Sequence, residues 1–191
     1  MLPRLGECPA LDGKSGQRFG QLTVINGEID KTTVTSAKNI FVVSENASLF
    51  LKNVTLKQYQ NKDLIQTNGN QTGVKIAITS CEFLGRCYFP AQGEYIINGG
   101  SYTGKCGAFY FKSGTISITS GYFSSTSYDG DWGHYENGAM FIGCAIIIEA
   151  CDYGAHGAPI VHITGGQFYG STPLYGLLVI DYKASNKNTT N

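Results

Sequence analysis

A spaced set of apolar residues recurs along the chain. Two apolar residues two positions apart are followed by a polar step, a small residue, one spacer and a large apolar residue, so the marked positions have offsets 0, 2, 5 and 7. Alternation with a period of two predicts a strand rather than a helix in each copy. The seven copies are Leu22-Val24-Gly27-Ile29, Leu49-Leu51-Val54-Leu56, Ile76-Ile78-Cys81-Phe83, Tyr95-Ile97-Gly100-Tyr102, Ile116-Ile118-Gly121-Phe123, Ile146-Ile148-Cys151-Tyr153 and Val161-Ile163-Gly166-Phe168.

The odd step from offset 2 to offset 5 predicts a bend inside each copy. Because side chains alternate between the two faces of a strand, both apolar pairs can face one core only if the chain turns a corner between them. Glycine suits such a corner, as at Gly27 and Gly100. The polar residues Asn26, Asn53 and Ser80 should align at this corner and form a short hydrogen-bonded ladder.

A second apolar strand follows most copies, at residues 39–43, 64–65, 87–89, 107–111, 138–142 and 176–180. The final large residues of successive copies are 15 to 30 positions apart, which is typical of a solenoid. We therefore predict an all-β fold, a single-stranded parallel β-helix of about seven coils. An immunoglobulin-like sandwich of seven strands is the alternative.

The predicted β-helix domain spans residues 21–182. Segment 1–20 is interpreted as a cap or an inter-subunit contact, and segment 183–191 as a polar tail. Equivalent residues of neighbouring coils should stack in the core. The expected stacks are Phe83/Tyr102/Phe123 and Ile78/Ile97/Ile118.

Two of the copies, residues 116–123 and 161–168, resemble coils of the pectin-lyase-like right-handed β-helix superfamily. The strands that begin with Gly-Ala, 107–111 and 138–142, are similar to the Gly-Gly-Ala-Ile repeat of polymorphic outer-membrane adhesins. The resemblance implies right-handed winding. It also implies a superfamily that includes polysaccharide lyases and hydrolases, adhesins, structural fibres and phage tailspikes, so a trimeric phage or viral fibre segment is a further alternative.

Charge and composition exclude several function classes. Fourteen Lys and Arg residues balance fourteen Asp and Glu residues without a basic or acidic block, so no nucleic-acid partner and no polybasic membrane anchor are expected. No apolar run reaches the roughly 18 residues of a membrane span. Aromatic residues make up 12% of the chain, which excludes intrinsic disorder.

The six cysteines predict crosslinks rather than a metal site, because none of them forms a Cys-x-x-Cys pair. Cys87 lies four residues after Phe83, and Cys106 lies four after Tyr102. This equivalence in adjacent coils predicts a Cys87–Cys106 disulfide. Cys144 and Cys151 are expected to pair across a corner. Buried thiols that act as small core residues are the alternative.

Four glycosylation sequons occur, at Asn46, Asn53, Asn70 and Asn188. Together with a disulfide they predict a secreted glycoprotein located outside the cell or on its surface. No signal-peptide pattern opens the chain, so we expect a mature form or a part of a larger protein.

The densest group of polar and aromatic residues lies in a predicted insertion at 127–136. Its carboxylates could bind a cation such as Ca²⁺, and its aromatic rings could stack on a sugar. The candidate residues are Asp129, Asp131, Trp132, His134, Tyr135 and Glu136. A polar loop whose tryptophan covers the side of the rod is the alternative. No other pattern predicts a catalytic residue, a metal site or a cofactor.

These patterns favour a non-catalytic extracellular structural or adhesive module, a glycosylated subunit of a filament or surface assembly. Its expected partners are copies of itself stacked head to tail, or similar repeat chains, because open ends of a β-helix pair with other strands. The alternative is a protein that binds or cleaves a polysaccharide with the 127–136 loop, in which case glycans are the partners.

Overall fold

A computed structural model describes residues 20–34, 39–58, 63–127, 143–150, 156–171 and 176–181, with the side chains of 180 and 181 excepted. Over these ranges the chain is all-β, with thirteen strands and no helix. The first sheet contains β1 (Gln21–Lys31), β3 (Ser48–Gln58), β5 (Val74–Leu84), β7 (Gly93–Gly104), β9 (Thr115–Ser125), β11 (Ile160–Ile163) and β12 (Gln167–Tyr169). The second sheet contains β2 (Phe41–Val42), β4 (Asp63–Gln66), β6 (Arg86–Phe89), β8 (Phe109–Phe111), β10 (Ile146–Ala150) and β13 (Leu177–Asp181).

Every strand pair in both sheets is parallel. The chain alternates between the two sheets. A strand pairs with the one that the chain forms when it next returns to the same sheet. We call one strand of the first sheet together with its successor in the second sheet a rung. An immunoglobulin-like sandwich has antiparallel sheets, so that alternative is wrong.

The register of the first sheet follows the predicted offsets. Leu49 pairs with both Leu22 and Ile76, and Ile97 lies between Ile78 and Ile118, as the second predicted stack requires. The seventh copy also aligns, because β11 and β12 both pair with β9. Six of the seven copies therefore lie one above another in the first sheet.

The prediction for the copy that begins at Ile146 is wrong, because this copy lies in the second sheet. Ile146 pairs with Phe109 on one side and with Leu177 on the other, so β10 belongs to the second sheet. The error arose because residues alternate between inside and outside in both sheets, so Ile146 and Ile148 satisfy the first two offsets in either one. The first sheet consequently has six levels instead of seven. The other two members of this copy, 151 and 153, and the predicted strand 138–142 lie outside the described residues.

The corner inside each long strand is made by a residue with left-handed backbone conformation. Asn26, Asn53 and Ser80 have φ values of 56°, 52° and 51°, and Gly99 continues the series with 72°. Asparagine tolerates this conformation better than most residues with a Cβ atom. The Asn53 side-chain amide donates a hydrogen bond of 3.1 Å to Asn26 Oδ1, which is the first step of the predicted ladder.

Aromatic rings fill the core between the two sheets. The Phe83 and Tyr102 centroids are 5.2 Å apart, those of Tyr102 and Phe123 are 5.0 Å apart, and Phe168 extends the column at 5.0 Å from Phe123. Phe109 reaches this column from the second sheet, 5.2 Å from Tyr102. The predicted aromatic stack is thus confirmed and extended by one ring.

The predicted Cys87–Cys106 disulfide is wrong, because Cys87 is a buried free thiol. Cys87 pairs with Phe109 across β6 and β8, three positions beyond Cys106. The corner from Leu84 to Arg86 is short, whereas the one from Gly104 to Phe109 is longer. Residues that follow the preceding aromatic residue by the same number of positions therefore do not align in the second sheet. Burial, followed by the charge of Asp63, raises the pKa of the Cys87 thiol well above its usual range.

The other crosslink and the terminal segments fall largely outside the structure. Cys144 is buried, but its predicted partner Cys151 lies outside the described residues. No disulfide joins any two cysteines in the described ranges. The predicted segments 1–20 and 183–191 also lie outside these ranges, except for Gly20.

Candidate functional site

The outward face of the second sheet carries a second buried cluster. In β8 the rings of Phe109 and Phe111 point to the main core, so Tyr110 and the following Lys112 point to the opposite face. Tyr110 is 2% exposed although it faces away from the main core. The cluster consists of Tyr88, Tyr110, Cys144 and Ile147, with Cys106 and Leu178 packed against it.

A buried ion pair lies beside this cluster. Lys112 Nζ is 3.3 Å from a carboxylate oxygen of Glu149, and both side chains are only 2% exposed. The Tyr110 hydroxyl donates a hydrogen bond to the same carboxylate. The ammonium group also lies over two aromatic faces, 5.3 Å from the Tyr110 centroid and 5.9 Å from the Tyr88 centroid. We call Tyr88, Tyr110, Lys112 and Glu149 the lateral charge cluster.

The lateral charge cluster combines groups that serve as acids and bases in enzymes, but it is enclosed. Desolvating two charges is costly, and the ion pair, the hydroxyl group and the two rings offset that cost. Lys112 and Glu149 are each only 2% exposed, so the pair is shielded from solvent. The arrangement therefore favours a structural role, in which the pair fixes the register of β8 against β10.

Sequence reasoning missed this cluster because it placed Glu149 in the first sheet. In the structure Phe111 pairs with Ile148, so Lys112, the residue that follows β8, lies next to Glu149 of β10. The available signal was a charged residue directly after an apolar strand in each segment, Phe109–Phe111 and Ile146–Ile148.

The two ends of the stack leave core-facing residues open. On β1, Leu22 is 47% exposed, while its partner Leu49 one rung inward is 2% exposed. At the other end Val179 of β13 is 69% exposed, while its partner Ile148 is 4% exposed. Among the described strands, β1 pairs with β3 alone and β13 with β10 alone, so each also presents an unpaired edge.

The candidate loop residues Asp129, Asp131, Trp132, His134, Tyr135 and Glu136 lie outside the described residues. The predicted Ca²⁺ site and glycan contact at this loop stay predictions. Elsewhere in the described ranges, no three or more His, Cys, Asp or Glu side chains are grouped so that they could hold a metal ion. Within the same ranges no helix is long and apolar enough to cross a membrane.

The predicted glycosylation sites differ in their surroundings. Asn70 is exposed and lies in a turn. Asn46 is half-buried in a left-handed conformation, and its backbone nitrogen donates to Thr72 O. Asn53 is exposed, but its side chain donates to the corner ladder. Asn188 lies outside the described residues, and glycosylation at all four positions stays a prediction.

A comparison of the chain with protein-family models, with curated proteins and with solved structures found no match. The resemblance to the pectin-lyase-like superfamily therefore rests on the repeat residues alone.

Proposed function

We propose that this chain is a right-handed parallel β-helix that serves as a non-catalytic structural or adhesive module, and that copies of it stack end to end. The observation that carries the proposal is the exposure of core-facing residues at both ends. Leu22 and Val179 occupy positions whose counterparts one rung inward are buried. A second copy placed on either end would cover them as one rung covers the next.

The unpaired edges support the same arrangement. β1 and β2 form one edge of the two sheets, while β11, β12 and β13 form the other. All pairs within the stack are parallel, so the last rung of one copy can continue into the first rung of another without reversing strand direction. Exposed strand edges pair readily with other strands. A contact between unlike ends that does not close into a ring propagates as a filament.

The lateral charge cluster supports the non-catalytic part of the proposal. Its acid–base groups are enclosed, and the ion pair links neighbouring strands of the second sheet. We also propose that the module is glycosylated and located outside the cell or on its surface. The exposed turn at Asn70 supports that location. Intact mass before and after deglycosylation and reduction tests it, and an unchanged mass from the native source would overturn it.

Sedimentation and negative-stain electron microscopy over a range of concentrations test the stacking. We expect the average mass of the wild-type protein to increase with concentration and rod-shaped particles to lengthen. Leu22→Lys and Val179→Lys each place a charge in one end surface and should limit assembly. Ile96→Lys is the matched control, because Ile96 is 38% exposed on an outward face of β7, away from both ends.

A mixture of the two end variants gives a sharper result. Each variant retains one intact end, so one Leu22→Lys copy and one Val179→Lys copy should form a dimer and no longer species. The proposal is wrong if the wild-type protein stays monomeric at its highest soluble concentration. It is also wrong if both end variants assemble as extensively as Ile96→Lys.

A further inference from the structure

A solvent-open cleft of about 310 Å³ lies at the corner that precedes the strands of the first sheet. It crosses four successive rungs, with wall residues from the starts of β5, β7, β9 and β11 and from the segment that leads into β11. The residues that bear on its chemistry are Lys75, Gln92, Glu94, Thr115, His156 and Ile160. None of them belongs to the lateral charge cluster, and Ile160 lies on β11, the terminal strand of the first sheet.

His156 contributes a nitrogen atom without a partner. Its Nε2 is shielded from solvent and makes no hydrogen bond within the protein. A turn of the imidazole ring that brings this nitrogen to the cleft would let it bond a ligand hydroxyl, as an acceptor or a donor according to its tautomer. A buried polar atom without a partner is costly, and a ligand that supplies one removes that cost.

A loose ion pair lies in the same cleft. Lys75 Nζ and Glu94 Oε2 are 3.6 Å apart, and their side chains are 60% and 52% exposed. Exposed pairs of this kind contribute little to stability, so a ligand can insert between them at small cost. Lysine offers donors and glutamate offers acceptors, and together they carry no net charge. An anionic ligand would meet the Glu94 carboxylate, whereas a neutral ligand with adjacent hydroxyl groups can accept from one side chain and donate to the other.

The cleft also has an apolar side and a limited size. Ile160 is 58% exposed there, next to Ala158 and Val74. Ligand pockets usually range from about 300 to 1,000 Å³, so this volume suits a single small ring. A pyranose ring has hydroxyl groups around its edge and C–H groups on its faces, which matches a polar pair beside an aliphatic patch.

We propose that this cleft binds one neutral pyranose residue, as a free sugar or as a residue of a longer glycan. Its residues Lys75, Glu94 and His156 lie outside the 127–136 loop, and its apolar side at Ile160 lies on the terminal strand β11. It gives the module a glycan contact on its side, from the third rung to the last.

Titration by NMR tests the proposal with glucose, galactose, mannose and N-acetylglucosamine, and with galacturonate as the anionic probe. We expect at least one neutral sugar to shift the His156 ring resonances. We expect Glu94→Gln and His156→Ala each to weaken the binding of that sugar by about tenfold. This is the effect of losing one hydrogen bond to a charged or buried group. His162→Ala is the matched control, because His162 is exposed on β11 and does not line the cleft.

Three outcomes would overturn the proposal: no neutral sugar shifts His156, galacturonate binds as tightly as galactose, or both cleft variants bind like His162→Ala. Circular dichroism checks that His156→Ala is folded, and Glu94→Gln alters a half-exposed side chain that the fold does not need. The sugar that binds most tightly is then tested as an oligosaccharide, which shows whether the ligand is a free sugar or part of a glycan. Tighter binding than the monosaccharide supports a glycan ligand, and equal binding supports a free sugar.

Discussion

Phe109→Ala tests the claim that aromatic rings from both sheets hold the rungs together. Phe109 is fully buried, and its ring lies within van der Waals reach of a group of other rings. The centroid distances are 6.4 Å to Phe83, 6.0 Å to Phe89, 5.2 Å to Tyr102, 5.8 Å to Phe111 and 5.9 Å to Phe123. Truncation of a buried phenylalanine costs about 3–5 kcal/mol, and aromatic pairs at these distances add stabilisation beyond burial.

We therefore expect Phe109→Ala to lower the free energy of unfolding by about 5 kcal/mol, at the upper end of that range. For a chain of this size the loss corresponds to a decrease in Tm of about 10–20 °C. Urea denaturation and thermal melts followed by far-UV circular dichroism measure both quantities. Tyr122→Ala is the matched control, because Tyr122 is 41% exposed on the outward side of β9 and should cost less than about 1 kcal/mol. Equal losses of unfolding free energy in the two variants would refute the claim that aromatic rings from both sheets hold the rungs together.

Three further changes test other features. Glu149→Gln should destabilise the protein by about 3–5 kcal/mol because it leaves the Lys112 charge buried without its carboxylate, and a urea midpoint close to wild type would contradict this. Gly114→Ala should lower the free energy of unfolding by about 1–3 kcal/mol more than Gly157→Ala. Both glycines have positive φ, but only at 114 would a Cβ atom overlap a backbone oxygen, at 2.3 Å. Equal melting temperatures of the two variants would contradict this expectation. Burial raises the pKa of Tyr95, so stability should fall as pH rises above about 10, where the unfolded chain ionises and the folded chain does not. Tyr95→Phe should reduce that slope by up to about 1.4 kcal/mol per pH unit in urea titrations, and an unchanged slope would show that the hydroxyl is not protected.

The first sheet could be predicted because each of its positions meets the same position one rung away. Offsets in the sequence are then also contacts in space, as for Phe83 and Tyr102. The corner could be predicted as well, since an odd step between apolar pairs permits no straight strand. Asn26 and Asn53 adopt the left-handed conformation that such a corner needs.

The second sheet could not be aligned in the same way. Its strands are short, and the corners that lead to them differ in length, so distance from the preceding copy does not fix the register. This is why Cys87 aligns with Phe109 instead of Cys106. The lateral charge cluster has the same origin, because Lys112 and Glu149 become neighbours only when β8 is paired with β10.

Sequence reasoning missed the surface cleft lined by Lys75, Glu94 and His156 for a different reason. Its residues come from four rungs and from the segment before β11, and no local motif links them. His156 lies between glycines, which predicts a turn and gives no sign of an unpartnered nitrogen. Only the placement of successive corners next to one another brings it near Lys75 and Glu94.

Each rung pairs only with its immediate neighbours, and this affects how the molecule unfolds. Leu22 pairs with Leu49, and Leu49 with Ile76, but no strand pairing connects β1 directly to β9. Opening should therefore begin at the termini and move inward, and amide hydrogens near the middle should exchange last with deuterium. A lineage could lengthen or shorten such a protein by whole turns without redesigning what remains.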